Sequence, residues 1–416
     1  MADSPFPTQL ADRCVMCGLC IPHCPTYGLS QSENESPRGR ISLMMGLARG
    51  QLEADSEFLQ HLDHCLGCRA CEGICPSDVP YGTLLNSQRQ VLKQQGLSTL
   101  PWGTRLLMTL LASPPARLKH INNWLHRYQR WGAAKLVALL GYFGSAHLKR
   151  LHRYLPPVSK PNTLSLYPAD TKVQVKGKVN LFRGCASRLF DQETSDAAIF
   201  LLRHLGYAVN IPDKQVCCGA MHRNEGDIEA SQQLASANIT AFGRSTDPII
   251  STASGCTTHL KEYPQHNDAL DAEPFSQQVV DISDFLSRVE WPKQYTFEAM
   301  DKKIAVHEPC LQRNVLKQGQ SAYSMLSVIP NLNIQPLNGN QFCCGAAGTH
   351  MFSQPEQADA LLNPKLEAID KQDIDILVTT NIGCALHIQA GLKQRGRLIE
   401  VIHPATLLAR QLRIKA

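Results

Sequence analysis

The chain has 416 residues, a formal net charge of +5 and sixteen cysteines; a length of this order suggests roughly three domains. With 43% hydrophobic and 19% charged residues it has the composition of a soluble globular protein, which excludes a disordered or fibrous chain. The start, MADSPFPTQLADRC, has no basic stretch leading into an apolar one, so no export signal is expected; the thiols then stay reduced and read as metal ligands rather than disulfides.

Residues 1–98 carry two copies of C-x2-C-x2-C-x3-C-P. The first is Cys14, Cys17, Cys20 and Cys24 before Pro25; the second is Cys65, Cys68, Cys71 and Cys75 before Pro76. Helical signals surround them. Ser36-Pro37 reads as an N-cap and first position opening a helix with Ile41, Met44, Met45 and Leu47 apolar. A second helix runs through Phe58, Leu59 and Leu62 into Cys65, and a third carries Leu84, Leu85, Val91 and Leu92 and stops at Gly96. This predicts an α-helical ferredoxin-type domain with two [4Fe–4S] clusters. Three thiolates at this spacing wrap one face of a cubane, and the cysteine before proline reaches the other cluster in two-cluster ferredoxins. Cluster 1 is thereby assigned to Cys14, Cys17, Cys20 and Cys75, and cluster 2 to Cys65, Cys68, Cys71 and Cys24. Zinc, satisfied by four ligands in pairs, has no use for crossed triplets.

Residues 99–175 form a basic helical block and linker. Within 101–160 there are ten Lys/Arg and no Asp or Glu, so the remainder carries 5 − 10 = −5. Trp102, Trp124 and Trp131 lie in the same block, and Pro156, Pro157 and Pro161 close it. A pair of basic helices packing on an acidic partner is one expectation. A surface lying on anionic lipid is the other. The longest apolar run, residues 132–144, contains Lys135 and is too short to span a bilayer, and no basic cluster belongs to a nucleic-acid-binding motif.

Residues 176–290 and 302–416 are an internal repeat. Cys185 and Cys310 are 125 apart, Cys217 and Cys343 are 126 apart, and Cys256 and Cys384 are 128 apart. Each copy reads as strand (Val179–Phe182; Ile304–His307), helix (197–205; 322–328), a strand leading to Cys-Cys-Gly, a helix, a strand (248–252; 374–379), and a closing strand and helix (279–286; 399–408). Alternating strands and helices predict two α/β domains on parallel sheets, with cysteines at strand ends or in loops, where such sheets bind ligands. The fold class is thus α+β multidomain. The candidate ligands are Cys185, Cys217, Cys218, Cys256 and His259 in the first copy and Cys310, Cys343, Cys344, Cys384 and His387 in the second. Vicinal cysteines suit adjacent irons of a cluster better than one tetrahedral ion, yet a further cluster, zinc and no metal all stay open here. His259 and His387 fit equally as ligands and as hydrogen-bond donors to a cluster; His61, His64, His204 and His350 read as surface or core residues.

No G-x-G-x-x-G follows a strand and there is no P-loop, so no nucleotide or flavin site is expected. Iron–sulfur clusters carry single electrons, whereas organic substrates are usually oxidised by two. A flavin that splits the pair is therefore expected on a partner subunit.

The tandem cysteine motifs, SPRGRISLM (36–44), HCLGCRACEGICPSDVPY (64–81), TASGC (252–256), FCCGAAGTH (342–350) and TTNIGC (379–384) together resemble the iron–sulfur subunit of bacterial glycolate oxidase. The resemblance spans nearly the whole chain, least clearly the basic block. It implies the electron-transfer subunit of a hetero-oligomeric oxidoreductase, with no catalytic, substrate-oxidising site of its own. Its partners would be flavin-containing 2-hydroxy-acid oxidase subunits that convert glycolate to glyoxylate, with quinone or another membrane acceptor beyond. It would be cytoplasmic, peripherally associated with the inner face of the cell membrane, and would bind no nucleic acid. Relatives of this architecture serving D-lactate or glycerol 3-phosphate are the alternative. The Cys-Cys-Gly domains also resemble those of heterodisulfide reductase, a thiol–disulfide catalyst whose last pair is Cys-x-x-Cys; here His259 and His387 replace the second cysteine.

Overall fold

The computed structural model describes residues 6–97, 100–159, 164–267 and 270–414. Lys160, Pro161 and the end of the second copy beyond residue 414 lie outside them. The architecture is α+β and multidomain.

The N-terminal part is helical, as its sequence predicts. Ser36 Oγ accepts a hydrogen bond from the Gly39 amide at 3.0 Å, and Pro37 begins the helix Pro37–Ala48. Asp55 caps the helix Ser56–Asp63 through the Phe58 amide at 2.8 Å. Their apolar faces and that of Tyr81–Gln94 meet around Ile41, Met44, Phe58, Leu62, Leu84 and Leu85. Each such side chain contributes about 1.5–3 kcal/mol on burial. The second cysteine loop lies between Ser56–Asp63 and Tyr81–Gln94, and the first between the short helices Thr8–Ala11 and Pro25–Ser30.

Among the described residues the basic block folds as four α-helices, Trp102–Leu111, Pro115–Arg130, Ala133–Leu139 and Ala146–Arg153, with a 3-10 turn at Gly141–Gly144, rather than the expected pair. Met108, Leu111 and Leu118 are buried, the last two within the first repeat copy's core. Trp102, Leu106, Trp124, Trp131 and Leu139 point outward.

The repeat gives two sheets of matching order. In the first copy, β1 (Leu166–Tyr167), β2 (Gly177–Phe182), β3 (Tyr207–Asn210), β4 (Ile249–Ser251) and β5 (Val279–Asp281) run β1-β3-β2-β4-β5 across the sheet. A linking strand, β6 (Tyr295–Phe297), precedes the second copy, where β7 (Lys303–His307), β8 (Asn333–Pro336), β9 (Ile376–Thr379) and β10 (Glu400–Ile402) run β8-β7-β9-β10. All pairs are parallel except the short edge strand β1, for example Val179 beside Val209 and Ile304 beside Ile376. The final strand β11 (Leu412–Ile414) pairs antiparallel with β6, a long-range pairing with no local sequence signal.

The copies pack through equivalent helices. Gln192–His204 of the first lies on Pro404–Gln411 of the second, and Ser321–Leu326 of the second lies on Ile282–Ser287 of the first. One apolar core, including Leu201, Leu202, Ile282, Ile304, Leu326 and Leu408, joins both. Thr194 to Thr406 at 3.2 Å and Ser321 to Asp284 at 3.5 Å are the matching polar contacts. This pseudo-symmetric packing turns the cysteine-bearing strand ends of the two copies toward each other. Among the described residues no helix is long and apolar enough to cross a membrane.

Candidate metal centre

The two N-terminal cysteine loops share an unusual backbone. Met16 and Gly18 in the first, and Gly67 and Arg69 in the second, have φ of 57°, 84°, 58° and 57°. Residues alternating into the left-handed region turn successive amide N–H groups inward, the concave arrangement that holds iron–sulfur clusters and phosphates. Glycine occupies one such position in each loop; Met16 and Arg69 bear the strain.

A cavity beneath the second loop is lined by Cys65, Cys68, Cys71 and also Cys24. Cys24 therefore sits with the triplet of the other motif. The Cys20 thiol faces Cys14 and Cys17. Burial, followed by neighbouring sulfurs, pushes the Cys68 and Cys71 thiols well up. Without a cation such packed thiols stay protonated, so this donor set fits a group that brings several positive charges.

SPRGRISLM has a physical reading the motif alone did not give. Arg40, 1% exposed, donates to Glu35 Oε2 at 2.5 Å, Thr26 Oγ1 at 3.0 Å and the His61 carbonyl at 2.6 Å. His61 and His64 both place Nδ1 on Glu35 Oε1, at 2.7 and 2.9 Å. Burial alone would raise the Glu35 carboxyl, but His64, Arg40 and His61 together hold it low. Arg40 lies within the field of the Cys65 and Cys24 sulfurs and is a cation next to that ligand set. A Cβ on Gly39 would fall 1.9 Å from the Glu33 carbonyl oxygen, so glycine is required there.

In the repeat, β2 and β7 lead into Cys185 and Cys310, each the first residue of a short helix. Cys256 and Cys384 are the third residues of the helices Ser254–Lys261 and Ile382–Gln394. These four are thus in first helical turns rather than in loops. Cys217-Cys218 and Cys343-Cys344 are in loops, and the Gly219 and Gly345 amides each point at the first sulfur of the pair at 3.5 Å. In the first copy, Cys217 lies 3.4 Å from Cys185 and Cys218 lies 3.5 Å from Cys256.

His259 and His387 are buried but engaged elsewhere. His387 meets the Tyr154 hydroxyl through Nδ1 at 3.1 Å and the Ala358 carbonyl through Nε2 at 3.2 Å. His259 meets Ser231 Oγ through Nε2 at 3.2 Å and stacks on His266. One turn beyond its cysteine, each ring reaches the neighbouring helix instead of the sulfurs. Among the described residues, the group of His, Cys, Asp or Glu whose donor atoms all lie within 4.8 Å of one another is His307, Cys344 and Cys384. His307 went unnoticed in the sequence. Of the remaining histidines, His204 pairs with Asp170 at 3.3 Å and His350 is buried.

All eight repeat cysteines line one cavity of about 240 Å³ between the copies, whose other walls include Leu107, Met108, Leu111, Leu151, Tyr154, Met221, Met351 and Phe352. Asn381 bridges it, accepting from the Gly255 amide at 3.4 Å and donating to Cys384 Sγ at 3.4 Å. The N-terminal part abuts the second copy: Asn314 donates to the Cys68 carbonyl at 2.8 Å, and Cys68 and Cys310 pack around Leu66, Cys343 and Leu361.

Residues 10–79 match a model described as "4Fe-4S dicluster domain", and residues 179–261 and 304–389 match "Cysteine-rich domain". The chain is 31% identical to the "Probable glycolate oxidase iron-sulfur subunit" of Bacillus subtilis (strain 168) over 95% of this chain and 93% of that one. This chain belongs to the glycolate oxidase iron-sulfur subunit family. The Escherichia coli (strain K12) "Glycolate oxidase iron-sulfur subunit" is 30% identical over 94% of this chain and 93% of its own. "Lactate utilization protein A" of Bacillus velezensis is 25% identical over 56% of this chain and 98% of its own. As a member of the glycolate oxidase iron-sulfur subunit family with a dicluster domain, the chain is an iron–sulfur electron-transfer subunit of an oxidoreductase, and two [4Fe–4S] clusters are its cofactors.

Proposed function

We propose that this chain serves a complex in which a flavin on a partner subunit oxidises glycolate to glyoxylate, and that it passes the electrons to a lipid-soluble quinone. The observation that carries the reading is the packing of Cys68 against Cys310 and Cys343, which joins the N-terminal ligand sets to the shared cavity of the repeat. Cys14, Cys17, Cys20 and Cys75 hold one [4Fe–4S] cluster; Cys65, Cys68, Cys71 and Cys24 hold the second. The cysteines of the repeat hold further iron–sulfur centres. Bound clusters supply one-electron redox chemistry. The chain's own residues exclude water with the apolar walls and, through Arg40, offset thiolate charge beside Cys24 and Cys65. Glycolate is favoured over lactate because the two glycolate oxidase relatives match along nearly the whole chain, whereas the lactate utilization relatives match over only 56–57% of it.

An apolar cavity suits a ring-shaped acceptor. Its helical roof, Trp102–Leu111, carries exposed Trp102, Leu106 and Leu110 on its other face, and Arg105, Arg117, Lys119, Arg127 and Arg130 are exposed nearby. This supports docking of the block on an anionic membrane surface. The test is anaerobic co-purification with the flavin subunit, iron and sulfide analysis, and glycolate-dependent quinone reduction. We expect at least about eight irons per chain, and we expect Cys68→Ser to stop quinone reduction while glycolate still bleaches the flavin. Fewer irons with all eight N-terminal cysteines intact, or quinone reduction undiminished by Cys68→Ser, would overturn it.

A further inference from the structure

We infer that His307 is a nitrogen ligand of the second repeat copy, so that the two copies hold unlike metal centres. This rests on reading the repeat cysteines as iron–sulfur sites. A ring nitrogen of His307 and the Cys344 and Cys384 sulfurs lie within 4.8 Å of one another, all buried. His307 ends β7, three residues before Cys310, and its Nδ1 is bonded to Thr379 Oγ1 at 2.9 Å. A second partner on one ring nitrogen, fixing the ring while the other faces the metal, is the usual support of a ligating histidine.

The first copy cannot do this. Three residues before Cys185 stands Phe182, buried and packed on Phe242. Its four sulfurs approach in pairs, and no nitrogen joins them in a group of that kind among the described residues.

The electrostatics differ in the same sense. Ser231 and Ala358 abut the glycine of each Cys-Cys-Gly, so the two long helices align with an offset of 358 − 231 = 127. Lys365, 2% exposed, then falls where the first copy has Asn238. Its Nζ donates to the Gly339 carbonyl at 2.9 Å and lies in the field of Cys343, Cys344 and Cys384. Both copies have four cysteines, so ligation by His307 in place of one of them would leave that cysteine a neutral thiol and the iron with one thiolate fewer; histidine for cysteine raises a cluster's potential. The buried ammonium acts in the same direction. The second copy, whose Cys310 and Cys343 pack with Cys68, is therefore the more oxidising of the two centres and the one where an electron settles.

The full chain, purified anaerobically with its clusters and labelled with ¹⁵N-histidine, is reduced and studied by pulsed EPR. A strong nitrogen coupling is expected. It should vanish in His307→Phe, which installs the first copy's residue, and in His307→Cys, which keeps a ligand and the iron. It should survive in His387→Gln. In a redox titration, His307→Cys should move one paramagnetic centre downward. Coupling that persists in both His307 variants overturns the nitrogen ligand. A stoichiometric zinc that His307→Phe releases without loss of iron keeps the nitrogen ligand but overturns the iron–sulfur reading of the second copy. Wild-type iron of no more than about eight per chain overturns the cluster reading of the repeat together with this one, whereas iron above that level with no dependence on His307 overturns the ligand alone.

Discussion

Replacing Arg40 by leucine should damage the N-terminal part more than any surface charge change. The guanidinium, 1% exposed, makes bonds to Glu35 Oε2, Thr26 Oγ1 and the His61 carbonyl, and its loss leaves the Glu35 carboxylate buried with only two histidines. Breaking a buried pair by removing one partner costs about 3–5 kcal/mol. At about 4 °C per kcal/mol for a domain of this size, the expected fall is about 12–20 °C. The assay is loss of iron–sulfur absorbance on an anaerobic thermal ramp at fixed scan rate, since the end state is irreversible. Arg40→Lys should recover part of the loss, because one ammonium cannot replace the fork of donors. Arg40→Leu with Glu35→Gln should lose less than the summed single changes, because the stranded charge is gone. A shift of less than about 3 °C in Arg40→Leu, or strict additivity in the double variant, would refute the argument that a desolvated charge pair braces the Cys24 and Cys65 side.

The other expectations are simpler. Gly39→Ala should cost at least about 1–3 kcal/mol by overpacking, because the new Cβ meets a backbone carbonyl that cannot step aside; iron content after purification reads it, and Gly28→Ala, with open space around the site, is the neutral control. Arg150 and Arg153 both reach Asp359 at 3.2 Å, and although burial pulls that carboxyl upward the two arginines hold it below its usual range. A depressed carboxylate contributes fully above its unfolded value of about 3.9 and loses that contribution as pH falls through the folded value. Amide exchange in 146–153 should therefore rise only under strong acid in the wild type, and at pH 7 in Asp359→Asn by about 1 kcal/mol, a figure discounted for solvent screening. Changing Arg117, Lys119, Arg127 and Arg130 to Glu should lower affinity for anionic vesicles by at least about a thousandfold, from about 1 kcal/mol per basic residue; unchanged co-sedimentation at low salt would end the membrane proposal.

Much of this was legible because metal binding by loops demands local spacing. The cysteine triplets and the Ser36-Pro37 helix start are short-range signals, and the repeat shows as a nearly constant offset of 125–128 residues between like cysteines; each corresponds to an element or loop in the structure. The histidines misled for the same reason. Cys-x-x-His looks like a ligand pair, but position i+3 of a helix can turn to a neighbouring helix, and here Ala358 and Ser231 claim those rings. His307 carries a signal that could have been used: aligning the copies sets it against Phe182, a polar residue where its twin has a core aromatic. Arg40 and Glu35 could not be ranked, since only folding reveals which charges are desolvated. The pairing of β6 with β11, more than a hundred residues apart, depends on both copies having already packed.

The basic block is best understood by its two faces. Arg150 and Arg153 are not free for any outside partner: they hold Asp359, while Arg150 Nε also donates to the Met351 carbonyl at 2.7 Å. At the end of the same helix, Tyr154 bonds His387, and both it and Met351 line the shared cavity. Its outer face carries Trp131, Leu139 and Phe143 exposed beside Lys135 and Lys149. A segment with one face built into the second cysteine-rich copy and the other apolar and basic toward solvent is not a passive linker. Anything that pulls on its outer face acts on the roof of the cavity, because Leu107, Met108 and Leu111 within it and Leu151 and Tyr154 at its far end are the cavity's wall. If the proposed docking on a membrane holds, an acceptor dissolved there would meet the protein where the helices facing the lipid also enclose the cavity, on a block whose ten Lys/Arg exceed the chain's whole net charge of +5.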